Sequence, residues 1–179
     1  MPNVASEVLS SHEKQLIDQA IAEHGGHPGE LLGILQAAQT ANAHKYLSIE
    51  ALRYIAEKTG VPPSRVYSAV TFYSLFNLEP QGDNVICVCR GTACHTRGSR
   101  ALLEKVCLDL GLSEHDTGET KDSERIALTT PDHKFTVRTV ACFGQCALAP
   151  VAEVNHHIFS HANERILQRE VKALSQGRK

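Results

Sequence analysis

The first 80 residues carry apolar side chains at the three-to-four-residue spacing of amphipathic helices. Ser10 and Glu13 match the Ser-x-x-Glu capping box, in which each side chain satisfies a free backbone N–H at the start of a helix. Three further helices follow, and short connections between four such helices favour antiparallel packing in a small bundle. The four predicted helices are bounded by Ser10 and Gly25, Pro28 and Ala38, Ser48 and Gly60, and Pro62 and Pro80.

The hydrophobic pattern changes after Gly82. Short runs rich in β-branched residues now alternate with helical patterns, which predicts an α+β fold in which helices pack on a small sheet. A polar stretch, 113–132, forms a long connection. We therefore divide the chain into an N-terminal helical bundle, 1–82, and a second domain, 83–179. The predicted elements of the second domain are strand 84–89, helix 98–110, strand 135–141, a hairpin of strands 151–154 and 157–159, and helix 164–174.

Composition excludes several classes of protein. With 179 residues, 42% of them hydrophobic and 21% charged, the chain has enough apolar material for a buried core and does not have the composition of a disordered protein. The net charge of -2 gives no reason to expect nucleic acid or an anionic membrane as partner. No run approaches the roughly 18 to 20 apolar residues of a membrane helix, and the first residues lack the pattern of a signal peptide, so we expect a cytoplasmic protein without membrane insertion.

All six cysteines lie in one stretch, between Cys87 and Cys146. Because the cytoplasm keeps ordinary thiols reduced, clustered cysteines there indicate metal binding or redox chemistry more often than structural disulfides. Two pairs stand out, and each follows a predicted strand. Cys89 and Cys94 form a C-x4-C pair, and Cys142 and Cys146 form a C-x3-C pair.

Four thiolates from two such loops can enclose one metal centre. A 2Fe-2S cluster held by four Cys is negatively charged, so small residues are needed where backbone N–H groups approach the sulfurs, and Gly91, Ala93 and Gly144 are of that kind. A structural zinc ion in an interaction module is the alternative, although its loops more often use shorter spacings. A C-x-x-C dithiol is absent, and a Rieske centre would need two His ligands in an arrangement that this sequence lacks.

The remaining candidate residues are two cysteines, one histidine and a group of three aromatic residues. Cys87 lies two residues before Cys89 on a predicted strand, and we expect the two side chains to point to opposite faces, so that only one thiol faces the centre, with Cys89 the better placed. Cys107 falls within a helix and is interpreted as a small core residue. His95 is the histidine best placed to tune charge near the centre. The aromatic group of Phe72, Tyr73 and Phe76 follows helical spacing, which favours core packing over a partner surface.

Three motifs, in order along the chain, resemble those of the NuoE family, the small thioredoxin-like 2Fe-2S subunits of NADH dehydrogenase modules. Related subunits serve soluble NAD(P)-linked or electron-bifurcating hydrogenases and formate dehydrogenases. The motifs are Pro62 to Tyr67 with Thr71 to Phe76, then Cys89 to Cys94 with Gly98, and finally Thr129 to Phe135 leading to Cys142, Cys146 and Pro150. The stretch from Leu112 to Thr129 is longer than is usual for the family.

This resemblance implies a helical bundle followed by a thioredoxin-like 2Fe-2S ferredoxin domain, with Cys89, Cys94, Cys142 and Cys146 as ligands of one 2Fe-2S cluster. It also implies a larger flavoprotein partner that binds FMN and NAD(H), together with further iron-sulfur subunits. The chain would then transfer electrons beside the partner's FMN and would have no catalytic residues of its own. Thiol-disulfide exchange is a further hypothesis, and it predicts dithiol activity that survives removal of iron.

Overall fold

The computed structural model describes residues 9–25, 27–112 and 127–176. The chain divides into two compact units, Met1–Pro80 and Gln81–Lys179. Within the described residues, no helix is both long enough and apolar enough to cross a membrane. The polar connection predicted over 113–132 lies mostly outside the described residues, which resume at Ala127.

The first unit is helical, as the apolar spacing predicts. Ser10 begins the first helix with a complete capping box, in which its hydroxyl accepts from the Glu13 N–H and the Glu13 carboxylate accepts from the Ser10 N–H. Ser48 caps the third helix through the Ala51 N–H, and Gly60 ends it in the left-handed conformation. The four helices are α1 (Ser11–Glu23), α2 (Leu31–Ala41), α3 (Ile49–Thr59) and α4 (Pro63–Phe72), with a 3-10 turn at Pro28–Glu30.

The core of this unit is formed by the apolar stripes of its four helices, and it includes Phe76. The prediction of core packing is wrong for the other two aromatics, since Phe72 is 74% exposed and Tyr73 43% exposed. Phe72 still belongs to α4 and lies two positions after the buried Val70, which places it on the opposite side of the helix. Tyr73 has extended backbone, so helical spacing no longer determines its direction. The largest fully buried side chains of the core are Ile34, Leu35, Leu47, Ile55 and Val66.

The second unit contains a five-stranded mixed sheet in the order β2-β3-β1-β4-β5. Its strands β1 and β3 pair in parallel, and the other neighbouring pairs are antiparallel. The strand β2 was not predicted from the sequence. The elements of this unit are β1 (Asn84–Cys89), α5 (Thr92–Thr96), α6 (Ser99–Asp109), β2 (Ala127–Thr129), β3 (Phe135–Val140), a 3-10 turn (Cys146–Leu148), β4 (Ala152–Val154), β5 (His157–Phe159) and α7 (Glu164–Ser175).

One face of the sheet packs against α6 and α7. Ile86 and Val137, which are paired in register on β1 and β3, are fully buried there with Leu103 of α6 and Leu167 of α7. Cys107 belongs to the same core and is 5% exposed, so its interpretation as a small core residue is confirmed.

The parallel pairing of β1 and β3 brings their carboxyl ends to the same edge of the sheet. Cys89, the last residue of β1, is in register with Val140, the last residue of β3. The segments that follow the two strands therefore leave the sheet side by side, and each carries a pair of cysteines. We call residues 89–98 the first cysteine loop and residues 141–151 the second cysteine loop.

Candidate metal centre

Backbone hydrogen bonds hold the two cysteine loops together where they leave the sheet. The Arg90 N–H donates to the Val140 carbonyl over 2.9 Å, and the Cys89 N–H donates to the Val151 carbonyl over 3.1 Å. Both ends of the second loop are thus fixed against the start of the first. Within the loops, Cys94 lies on the short helix α5, and Cys146 begins a 3-10 turn.

The four thiols that the sequence analysis grouped together lie in one connected set. The Cys94 and Cys142 thiols lie close enough to the Cys89 sulfur to lower the pKa of its thiol. The Sγ atoms of Cys142 and Cys146 are 3.8 Å apart. Two sulfurs bound at about 2.3 Å to one tetrahedral metal are themselves about 3.8 Å apart, so this second pair has the spacing of two ligands on a single metal.

Backbone N–H groups point at these sulfurs. The Gly144 N–H donates to Cys142 Sγ over 3.2 Å, and the backbone N–H groups of Gly91 and Phe143 lower the pKa of the Cys89 thiol. Burial raises the pKa of the Cys89 thiol, but these donors and the two neighbouring thiols favour the thiolate more strongly, so that the pKa lies below its usual value. This donor set fits a group that places negative charge on sulfur, as a 2Fe-2S cluster does.

The neighbouring sulfurs also affect one another. Burial, and then the hydrogen bond to Cys89, raise the pKa of the Cys94 thiol. Cys142 raises the pKa of the Cys146 thiol through their hydrogen bond and through its charge. Four thiolates cannot easily coexist at this spacing without a positive centre among them, because like charges repel. Metal ions supply that charge, which is why thiolates in metal sites are deprotonated.

Gly91 lets the two loops approach each other closely. A Cβ built on Gly91 would lie 3.0 Å from the Ala141 carbonyl oxygen and 3.3 Å from Cys142 Sγ. Such contacts are tighter than ordinary van der Waals contacts, so a side chain here would press on the second loop. The sequence-based expectation that a small residue is needed at this position therefore has a structural reason.

The set of thiols is buried at one end and exposed at the other. Cys89 and Cys94 are each 2% exposed and pack with Ala149 and Val151 in a small apolar cluster. Cys142 and Cys146 are both exposed. A centre held by these residues would therefore be shielded on the side of the first loop and open on the side of the second.

Cys87 lies on the same face of the sheet as Cys89. Residues two apart on a strand point to the same face, so the expectation that the side chains of Cys87 and Cys89 point to opposite faces is wrong. The two cysteines differ in their position along the strand, because Cys89 ends β1 and Cys87 does not. Cys87 lies within the sheet, in register with Arg138 on β3 and Glu153 on β4, where burial raises the pKa of its thiol.

Within the described ranges, no three His, Cys, Asp or Glu side chains converge as the ligands of one metal ion would, so the four thiols form a connected set and not a closed single-ion site. A contact that the sequence analysis missed joins the loops: Arg97 Nη1 donates to the Ala149 carbonyl over 3.0 Å. The two residues each lie three positions after the last cysteine of a pair, and that shared offset is the one sequence signal that could have drawn attention to them. His95 is exposed on α5, and its influence on the centre stays a prediction.

A mixed sheet with α6 and α7 on one face, carrying cysteine loops at the ends of its parallel strands, defines a thioredoxin-like α+β protein with a candidate iron-sulfur site. The sequence pattern of the thioredoxin-like 2Fe-2S ferredoxin family matches residues 17–175. The chain belongs to this family, and the resemblance to its NuoE members is confirmed.

Curated relatives support the same assignment. An NADH-quinone oxidoreductase subunit from Rickettsia typhi is 34% identical over 147 residues, which are 82% of this chain and 79% of the relative. The HndA subunit of the NADP-reducing hydrogenase from Solidesulfovibrio fructosivorans is 33% identical over 137 residues, 74% of this chain and 70% of the relative.

A solved structure has the same fold. The chain is similar to part of an NAD+-reducing NiFe-hydrogenase in the air-oxidized state, with a TM-score of 0.61 and 20% identity. The match covers 83% of this chain but only 23% of the hydrogenase chain, and at this identity it shows the fold alone.

Proposed function

We propose that this chain is an electron-transfer subunit that carries one 2Fe-2S cluster on Cys89, Cys94, Cys142 and Cys146. The observation that carries the proposal is the connected set of these four thiols, contributed by two loops and approached by backbone N–H donors. The family assignment supports the type of centre. In this proposal the bundle, 1–82, serves assembly, and the domain 83–179 binds the cluster.

When bound, a 2Fe-2S cluster accepts and returns one electron at a time. The chain's own residues bind and tune it. Backbone N–H groups of Gly91, Phe143 and Gly144 stabilise negative charge on the sulfurs, which favours the reduced state. The apolar cluster around Cys89 and Cys94 excludes water from the inner side. The exposed second loop leaves the other side open to a redox partner.

The partner that we propose is a larger flavoprotein that binds FMN and NAD(H), with further iron-sulfur subunits in the same oxidoreductase. The names of the relatives support this, because they are subunits of a quinone oxidoreductase and of a hydrogenase. The bundle offers a surface suited to subunit contact, since four large apolar side chains within nine residues are exposed. They are Tyr67, Phe72, Tyr73 and Leu75.

Purification without oxygen, followed by iron and acid-labile sulfide analysis, tests the proposal. We expect about two of each per chain, because a 2Fe-2S cluster contains that number, and an EPR signal that appears on reduction. One zinc ion per chain without sulfide would contradict the proposal and support a metal-stabilised interaction module. Identification of the proteins that co-purify with the chain would test the flavoprotein partner separately.

A further inference from the structure

The side chain of Arg97 crosses from the first cysteine loop to the second. Its Nη1 atom donates to the Ala149 carbonyl over 3.0 Å, across 52 residues of sequence. The backbone N–H of Arg97 also donates to the Cys94 carbonyl, and that of Ala149 donates to the Cys146 carbonyl. The guanidinium therefore joins the ends of the two helical turns that carry Cys94 and Cys146.

The acceptor of this bond is held firmly in place. Ala149 is 1% exposed and packs with Cys89, Cys94 and Val151. On either side of it, the Leu148 carbonyl accepts from the His161 N–H over 2.9 Å, and the Pro150 carbonyl accepts from the Ala162 N–H over 2.8 Å. Arg97 thus binds a fixed peptide beside the buried thiols.

The second cysteine loop has particular need of such a tether. Cys142 and Cys146 are exposed, so apolar packing contributes little to their positions. The backbone bonds to Val140 and Val151 fix the two ends of the loop, and those from His161 and Ala162 hold the segment after Cys146. The bond from Arg97 to Ala149 adds a link between that segment and the first cysteine loop. Arginine suits this role because its guanidinium is planar, keeps its charge and offers several donors in a fixed geometry.

We propose that Arg97 is a positioning residue for the iron-sulfur centre, a role that rests on the proposed function. Its guanidinium holds the Cys146 turn against the Cys94 turn. Its positive charge is held at the carbonyl of Ala149, which packs against Cys89 and Cys94, and there it would favour the reduced state of a bound cluster. These are two separable effects, one on retention of the cluster and one on its potential.

Three variants test the two effects in the full chain with its cluster. Arg97→Gln removes the charge and the guanidinium, and Arg97→Lys keeps the charge but loses the planar donor group. Arg169→Gln is the matched control, since it removes the same charge from an arginine on α7 whose side chain is 74% exposed and paired with Glu170. Iron release to a chelator, followed by visible absorbance, reports retention. EPR-monitored redox titration reports the midpoint potential and the shape of the signal.

For Arg97→Gln we expect iron release about tenfold faster than in the unmodified chain. Loss of a residue that supports a metal ligand typically lowers metal affinity by about 10- to 100-fold, and this value is at the lower end of that range. We also expect a midpoint potential shifted to more negative values and an altered EPR signal. Arg97→Lys should keep the potential of the unmodified chain and release iron at an intermediate rate. Arg169→Gln should match the unmodified chain in all three measurements.

The outcomes separate this proposal from the proposed function. If the unmodified chain contains no iron and sulfide, the proposed function fails and the role of Arg97 fails with it. If the unmodified chain holds the cluster and Arg97→Gln behaves like Arg169→Gln, the role of Arg97 alone is overturned. Should Arg97→Gln fail to fold, Arg97→Lys decides the matter, because an unchanged rate of iron release in that variant would remove the positioning role.

Discussion

Gly91 and Cys142 belong to different loops, yet a Cβ on Gly91 would lie only 3.3 Å from Cys142 Sγ. The same Cβ would be 3.0 Å from the Ala141 carbonyl oxygen, which is backbone and cannot move aside as a flexible side chain would. Gly91 has φ -57° and ψ 155°, which any residue can adopt. Space between the loops, and not backbone conformation, is therefore what requires glycine here.

Gly91→Ala should weaken cluster binding for this reason. We expect iron release about tenfold faster, because the added methyl group pushes the second loop away from the first. The measurement is loss of visible absorbance in the presence of an iron chelator. Gly29→Ala is the control, since a Cβ at Gly29 meets no atom within 4 Å. Equal rates in the two variants would mean that the loops tolerate separation.

Serine substitutions test the ligand set. Ser in place of Cys89, Cys94, Cys142 or Cys146 should abolish the cluster or change its spectrum strongly, because a hydroxyl is a poor replacement for thiolate sulfur on iron. Iron and sulfide content and the visible spectrum provide the measurement. A lost cluster in Cys87→Ser, combined with a retained one in Cys89→Ser, would reverse our choice between these two residues.

Cys107→Ser provides the matched control for the serine series. Cys107 lies in the apolar core under the sheet, so the hydroxyl should lower the free energy of unfolding by about 1 to 3 kcal/mol while the spectrum of the cluster stays unchanged. Chemical denaturation followed by circular dichroism measures the first quantity. A changed cluster spectrum in this variant would mean that loss of stability alone can disturb the centre.

The exposed aromatic end of α4 provides a test of the partner surface. Phe72→Ser should reduce the amount of flavoprotein subunit that co-purifies with the chain, because an apolar side chain this exposed is suited to burial in a subunit interface. Stability and cluster content should hardly change, since Phe72 contributes little to the core. Leu108→Ser is the control: Leu108 is 73% exposed, close to the 74% of Phe72, but lies on α6 of the other unit. Equal losses of co-purification in both variants would argue against a specific surface.

Acid should weaken the link between α6 and α7. Hydrogen bonds from Lys105 and then Gln168 hold the pKa of Asp109 below its usual value. A carboxyl with a lowered pKa in the folded state stabilises that state above the unfolded pKa, near 4, and the effect is lost as the pH falls through the lower folded pKa. Asp109→Asn should therefore reduce the free energy of unfolding at pH 7 by less than about 1 kcal/mol, since the pair is partly exposed.

Denaturation of Asp109→Asn and the unmodified chain at several pH values measures this effect. The difference between the two proteins should be constant from pH 7 to about pH 5 and should shrink below about pH 4, where the Asp109 carboxylate takes up a proton in the unfolded state before it does so in the folded state. A difference that grows as the pH falls would have the wrong sign for a lowered pKa and would contradict the assignment.

Local sequence signals predicted most of the secondary structure. The capping box of Ser10 and Glu13, the Ser48 cap and the left-handed Gly60 all act over three or four residues, so their effect can be recognised without knowing the fold. The strand β2 was missed because it has only three residues and is stabilised by pairing with β3, a contact between different parts of the chain.

The sequence by itself determined most of the elements and their order, the family and the two cysteine pairs, because these depend on spacing and residue type. Tertiary structure decided what those residues face. The parallel pairing of β1 with β3 brings Cys89 and Val140 to one edge, and only then can Gly91 contact Cys142 and Arg97 reach Ala149. The end of α4 likewise left Tyr73 exposed while Phe76 entered the core. Contacts between distant residues depend on chain topology, so a local sequence pattern cannot predict them.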